Sequence, residues 1–498
     1  MELLPAQRDT RIQQRRADLS EQLIGSVEAV VVACDADRAT QHLSELPFAE
    51  HLQRVYERVR RHEPVTLLST RVGPQASALV VVFIKRTAAA FDLLSLAGRA
   101  WKEFDHPPRQ VLLATCGMDE ERAGAVGEAL VAAVLSGSAT MPNMKSKPSR
   151  PTALEGITLI HAGAPLTLSR TVAVNRGNHL ARWLTTLPPN VLDSGSYRRA
   201  LTKLAKQQGW TAAFLDEAAL KRAGAGAFLA VARANAHRGA GILRLRYRAA
   251  NRRNVTGRLA LVGKGVCFDT GGINLKSHKS MYQMHEDMQG SAVAAGTLLA
   301  LSELKVPFDI DCWLALTENE IGPHAYRPQE IVKAANGVTV QVVHSDAEGR
   351  MALADTLALA AREKPDLIID YATLTGACVS ALTERYSGAF TNKPQLREAL
   401  ESAGRTSGER VWTFPMDEDY DSELQSSIAD VIQCTIDGKG DHILAARFLN
   451  RFVPAEIPWV HLDLAASNRS GGLAHIPTDF TGFGVRYTVE LLRQGLLG

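Results

Sequence analysis

Short apolar runs of strand length alternate with amphipathic stretches of helical length along most of this chain, and that alternation restricts its fold more than any other feature. Residues 27–32, 65–68, 78–84 and 110–115 read as strands, and 48–60, 88–103 and 120–135 read as helices. A strand at 157–161 closes this part of the chain. Segments that alternate in this way form sheets covered by helices. From about Thr167 to Leu187 a helix places Leu180, Leu184 and Leu187 on one flank, and Pro188–Pro189 stops it. Alternation then resumes with more glycine: strands at 258–268, 308–316, 338–343 and 367–371, and helices at 290–304 and 351–362. The expected fold is α/β with two α/β domains. A smaller N-terminal one covers 1–165, a helical connector 166–190, and a larger C-terminal one 191–498, with a central mixed sheet flanked by helices.

Composition narrows the function classes. The net charge of +3 predicts no strong general affinity for nucleic acid or lipid. No run approaches the roughly 18 apolar residues of a membrane helix. The start, MELLPAQRDTRIQQRR, has no apolar core and does not read as a secretory leader, so a cytoplasmic protein is expected. Arg8, Arg11, Arg15 and Arg16 cluster there and read as a solvated helix face. None of the six cysteines forms a CxxC pair, and most sit in apolar runs. Buried reduced thiols are expected, with neither a disulfide framework nor a cysteine zinc site. The stretch 141–151, MPNMKSKPSRP, reads as a loop.

The chemistry concentrates between residues 262 and 376. In VGKGVCFDTGGINLK an apolar strand carries Lys264, reaches Asp269 and breaks at Gly271–Gly272 before Lys276. Ligand sites in α/β sheets lie at such carboxyl strand ends. A lysine inside an apolar strand is costly unless paired or neutral. In MYQMHEDMQGSA, Asp287 stands before a small-residue helix, where an isolated Asp reads as a helix cap. The spacing of His278 and His285 is not that of a helical metal pair. In VVHSDAEGRM a strand is read as ending at Asp346, Ala347, Glu348, Gly349 and Arg350. In extended backbone, Asp346 and Glu348 face one point. Two carboxylates so close require a cation, which Arg350 or a divalent metal could supply. A further strand in DYATLTGA ends in a small-residue turn at 373–376.

These four segments closely resemble the signature segments of the leucyl aminopeptidase family, the hexameric dimetal exopeptidases. LPPN, WVHLDLA and TGFGVR extend a weaker similarity over the second domain, and the first third fits only loosely. The resemblance implies a metalloexopeptidase that releases N-terminal leucine and related residues by a water activated between two metals. The implied ligands of two divalent ions, Mn or Zn, are Lys264, Asp269, Asp287, Asp346 and Glu348, with Lys264 bound as a neutral amine. Lys276 would hold the tetrahedral oxyanion, and Arg350 would anchor bicarbonate as proton shuttle. Met284, Thr373, Gly376, Ala465 and Asn468 would line the first-residue pocket, with the backbone of Leu374 bonding the substrate beside it. A homohexamer acting on peptides with a free amino terminus is implied, with no membrane partner. Site-specific DNA binding on the same fold is the alternative, because some family members have that second role.

Several positions depart from the family pattern. His344 and Ser345 precede Asp346, Gln289 replaces a glycine, and His285–Glu286 replace a Lys-Tyr pair. The glycine-rich stretch before the late Ala-Ala helix is shortened to GKGDHILAA, and Asn468 replaces a residue that is often apolar. These departures bear on specificity and metal preference more than on activity.

Overall fold

The computed structural model describes residues 2–6, 10–62, 64–147, 153–161 and 163–497. Its first sheet has six strands: β1 (Arg11–Arg15), β2 (Ala29–Asp35), β3 (Leu67–Val72), β4 (Ser77–Ile84), β5 (Gln110–Cys116) and β6 (Gly156–Ile160). Their order is β1-β6-β5-β2-β4-β3, parallel except where β3 returns as a hairpin on β4. β2 is buried along its whole length, as the unbroken AVVVAC run requires of a central parallel strand. Arg11 and Arg15 lie on the edge strand β1, not on a helix face, and Arg8 lies outside the described residues. The predicted loop is irregular at 141–147, and 148–151 lie outside the described residues.

A second, eight-stranded sheet contains β7 (Thr211–Asp216), β8 (Gly241–Tyr247), β9 (Arg258–Asp269) and β10 (Asp309–Asn319). A three-stranded sheet is built from β11 (Ile331–Lys333), β12 (Thr339–Gln341) and, later in the chain, β16 (Val431–Ile432). The large sheet is completed by β13 (Leu367–Ala372), β14 (Ser387–Thr391), β15 (Val411–Thr413) and β17 (Trp459–Asp463). The segment read as a strand at 338–343 is thus β12, and it belongs to the small sheet.

The large sheet runs β15-β14-β17-β13-β9-β10-β8-β7. Its four central strands, β17, β13, β9 and β10, are mutually parallel. Their carboxyl ends therefore open on one edge, which is where an α/β sheet places its ligand site. The helix Gln289–Glu303 covers one face and Glu348–Ala361 the other, and both are buried almost throughout. The helix Ser169–Thr186, read as a connector, packs along Gln289–Glu303. Its Leu180 and Leu184 are in the same core as Leu298 and Leu301. Among the described residues, no helix is long and apolar enough to cross a membrane.

Candidate active site

Each parallel strand delivers a polar residue to the shared edge. β9 ends in Asp269, β10 in Asn319 and β17 in Asp463, and Thr373 follows β13. Asp287 enters just before the helix Gln289–Glu303, and Glu348 is the first residue of its own helix. The extended backbone expected around Asp346 and Glu348 is not what joins them. Asp346 sits in a turn and Glu348 in helical backbone, and the turn itself folds the two carboxylates together. Oxygens of Asp269, Asp346 and Glu348 come within 4.8 Å of one another.

Two lysines hold this acidic cluster together. Lys264 Nζ lies 2.8 Å from Asp287 Oδ1 and 2.9 Å from Glu348 Oε1, and it donates to the Thr373 carbonyl at 3.0 Å. Gly349 makes room for it, since a Cβ there would stand 2.6 Å from Lys264 Nζ. Lys276 Nζ lies 2.9 Å from Asp269 Oδ2 and 2.5 Å from Asp346 Oδ1. Burial alone would push both ammoniums down, but the surrounding carboxylates push each above its ordinary value. Burial raises Asp287, Asp346 and Glu348 in turn, with the neighbouring acids adding to it and the lysines opposing it.

The cluster has more carboxylates than ammoniums. Asp287 Oδ2 and Glu348 Oε2 are buried without a hydrogen-bond partner. Unpaired carboxylate oxygens in a buried site are costly unless a cation meets them. All-oxygen donors with one amine suit hard or borderline divalent ions. These residues therefore fit divalent metal.

The cleft around them has a volume of about 770 Å³. It is lined by every residue implied by the resemblance except Arg350: the five ligand candidates, Lys276, and the first-residue pocket of Met284, Thr373, Leu374, Gly376, Ala465 and Asn468. His278 is exposed and His285 packs edge-on against Phe480, so neither joins the cluster. The Leu374 N–H is engaged by Asp463 Oδ1 at 3.2 Å, which leaves its carbonyl for any substrate contact.

Arg350 stands apart. It is 2% exposed, donates to Asp441 Oδ2 at 2.7 Å and to the Gln433 carbonyl at 3.2 Å, and does not line the cleft. Asp441 comes from the shortened glycine-rich stretch. An arginine whose charge is already met by a carboxylate is not free to cradle bicarbonate as the resemblance implies.

Sequence reasoning missed the supports. Asn319 Nδ2 and the Gly271 N–H each donate to Asp269 Oδ1 at 2.8 Å, fixing its second oxygen toward Lys276. Thr373 Oγ1 donates to Asp287 Oδ1 at 2.8 Å, and Thr375 Oγ1 donates to Asp463 Oδ2 at 2.6 Å. Asp463 was visible as the acid ending WVHLD, and Asn319 lies beyond the apolar part of its strand. Ser345 accepts from the Asn274 N–H at 2.7 Å and donates to the Gly271 carbonyl at 2.6 Å, tying the two acidic turns together. Glu286, also on the cleft, accepts from Asn468 Nδ2 at 2.6 Å. Burial pushes its carboxyl up to about 7 against that hydrogen bond.

The catalytic-domain model of the cytosol aminopeptidase family matches residues 179–489. The chain belongs to the cytosol aminopeptidase family. It carries that family's catalytic domain, the domain of an aminopeptidase. A probable cytosol aminopeptidase of Syntrophotalea carbinolica is 39% identical over 67% of this chain and 66% of its own length. One from Stutzerimonas stutzeri is 39% identical over 69% of each chain. Among solved structures, a point variant of tomato leucine aminopeptidase superposes with a TM-score of 0.85 at 26% identity, over 99% of this chain and 98% of that one. The bottromycin maturation enzyme BotP in complex with Mn gives 0.82 at 27% identity, over 94% and 100%. The family resemblance and the α/β architecture expected from sequence both hold.

Proposed function

We propose that this chain is a metal-dependent aminopeptidase that removes leucine and related first residues from peptides. The observation that carries this reading is the convergence of Asp269, Asp287, Asp346, Glu348, Lys264 and Lys276 on one cleft, with carboxylates in excess. Two divalent cations, Mn or Zn, would be held by Lys264 and the four carboxylates, and would polarise the scissile carbonyl and acidify water. Lys264 must then give up its proton, a change open to lysine and closed to arginine. Lys276 keeps its proton and donates a hydrogen bond to the developing oxyanion. A free α-amino group would offer one of these ions a further donor that a blocked amino terminus lacks. The deciding assay is hydrolysis of aminoacyl p-nitroanilides by chelated enzyme to which Mn, Zn or Mg is returned. Activity should depend on added metal, and N-acetylated substrates should not be cut. Cleavage of blocked peptides at a similar rate rules out the exopeptidase reading.

The first-residue pocket is more polar than leucine requires, because Asn468 and Glu286 face it as a hydrogen-bonded pair. First residues with a donor side chain should be accepted beside leucine. Asn468→Leu is expected to raise the leucyl over lysyl ratio of kcat/KM by about tenfold, the effect of matching an apolar side chain to its pocket. An unchanged ratio places the pair outside the pocket.

Arg350 and Asp441 give a third expectation. With the guanidinium already paired, the parent enzyme should respond weakly to added bicarbonate. Asp441→Asn removes the competing charge and should create bicarbonate activation, read as rate against bicarbonate at constant ionic strength. Strong activation of the parent, unaltered in the variant, contradicts this account.

Assembly as a homohexamer completes the proposal. Ile273, Leu275, Tyr282, Ile428 and Ile436 are large apolar side chains left exposed, as surface covered by neighbouring subunits would be. Light scattering should give about six times 53.9 kDa, and a monomer at micromolar concentration refutes it.

A further inference from the structure

The six-stranded sheet holds a second group of metal-binding side chains, unconnected with the peptidase cleft. Cys34, next to last in β2, and Cys116, the last residue of β5, are register partners on adjacent parallel strands. The strand order makes this a topological switch point: from β2 the chain moves toward β4 and β3, and from β5 toward β6. The helix Ala39–Glu45 folds back over it and brings His42 and Glu45. Ligand atoms of His42, Glu45 and Cys116 lie within 4.8 Å of one another.

His42 is set up to bind. It is 4% exposed. Its Nδ1 is 3.3 Å from Glu45 Oε2, while its Nε2 is buried with no hydrogen-bond partner. A buried ring nitrogen without a partner is costly unless a ligand such as a metal ion meets it. The ring lies directly over Gly117, where a Cβ would stand 2.0 Å from Cε1 and 2.3 Å from Nε2. Gly117, at φ +71°, therefore lets the imidazole reach the strand end beside Cys116.

A thiol binds such an ion as thiolate, so binding would release the Cys116 proton.

We propose that Cys116, His42 and Glu45 form a structural site for a thiophilic divalent cation of the Zn²⁺ class, pinning the helix Ala39–Glu45 to the end of β5. A sulfur, an imidazole and a carboxylate are three donors of the kind zinc takes, with the fourth position left to water. The sequence hid the site because its ligands come from a helix and a strand far apart in the chain and no CxxC spacing announces it.

A thiolate ligand separates this site from the peptidase centre, whose donors are only oxygen and nitrogen. Full-length protein, reduced and stripped of metal, is titrated with Co²⁺ alone. A near-ultraviolet thiolate-to-cobalt absorption should appear and be abolished by Zn²⁺. Cys116→Ser should lose that band and one bound cation per chain, while aminoacyl p-nitroanilide hydrolysis persists. Zn²⁺ should also slow the reaction of Cys116 with a disulfide reagent in the parent protein, so the test stands even if the variant folds poorly. Cobalt binding without the thiolate band, equal metal content in parent and variant, or a Cys34–Cys116 disulfide in place of the ion each overturns the proposal. None of these outcomes touches the peptidase reading, which is judged by hydrolysis.

Discussion

Glu348→Ala is expected to abolish peptide hydrolysis and to lower the bound metal measured by mass spectrometry in parallel. Glu348 is 1% exposed and meets Lys264 Nζ at 2.9 Å, while its other oxygen is buried and unpartnered. On the proposed reading, removing it takes away one cation donor, and it also removes one of the two carboxylates paired with buried Lys264. Breaking a buried ion pair from one side costs about 3–5 kcal/mol. Lys264 retains Asp287 at 2.8 Å, so the lower end of that range is expected, with the fold intact by circular dichroism. Asp269→Ala and Asp346→Ala should behave alike, because each holds Lys276 and contributes to the same cluster. Full metal occupancy with lost activity would show that these carboxylates act on substrate and not on metal.

Lys276→Ala should cut kcat by on the order of 10²–10³, the usual cost of losing a preorganised donor to a developing oxyanion. KM should change little, because the contact strengthens only as charge builds on the carbonyl oxygen. Lys276 is 14% exposed at the mouth of the cleft, and its charge is held by Asp269 and Asp346. The variant should retain its metals, since removing a competing ammonium leaves the carboxylates freer to bind cations. Loss of metal, or a raised KM at constant kcat, would make Lys276 a structural or substrate-binding residue. Arg350→Ala should lose less activity and more stability, because Asp441 would be left without its partner.

The acids of the site were legible where they end apolar strands or open apolar helices. Asp269, Asp287 and Glu348 stand out because a charge in such a place needs a reason. Spacing served less well. Asp346 and Glu348 converge through a turn and a helix start, and the alternation of an extended strand had suggested the same meeting by the wrong route. β10 runs on through Thr317, Glu318 and Asn319, all buried, and the polar residues concealed its true end. β7, β8, β14 and β17 were not read as strands. β7 is mostly exposed, so no apolar periodicity marks it. Partnerships between distant segments left no local trace: Asp441 on Arg350, Asn468 on Glu286, Cys34 beside Cys116. Each depends on tertiary packing, which a window along the chain does not see.

Because the cleft is assembled from the ends of four strands that finish at 269, 319, 372 and 463, no early portion of the chain contains it. Such non-local pairing forms late, after the costs of closing long loops have been met. During synthesis the six-stranded sheet leaves the ribosome first, and domains fold roughly in order of emergence. Until β17 docks beside β13, Asp463 does not brace the 374–375 turn and the hydrolytic centre is unfinished. A half-made chain is therefore harmless to amino termini, its own and those of the nascent proteins around it.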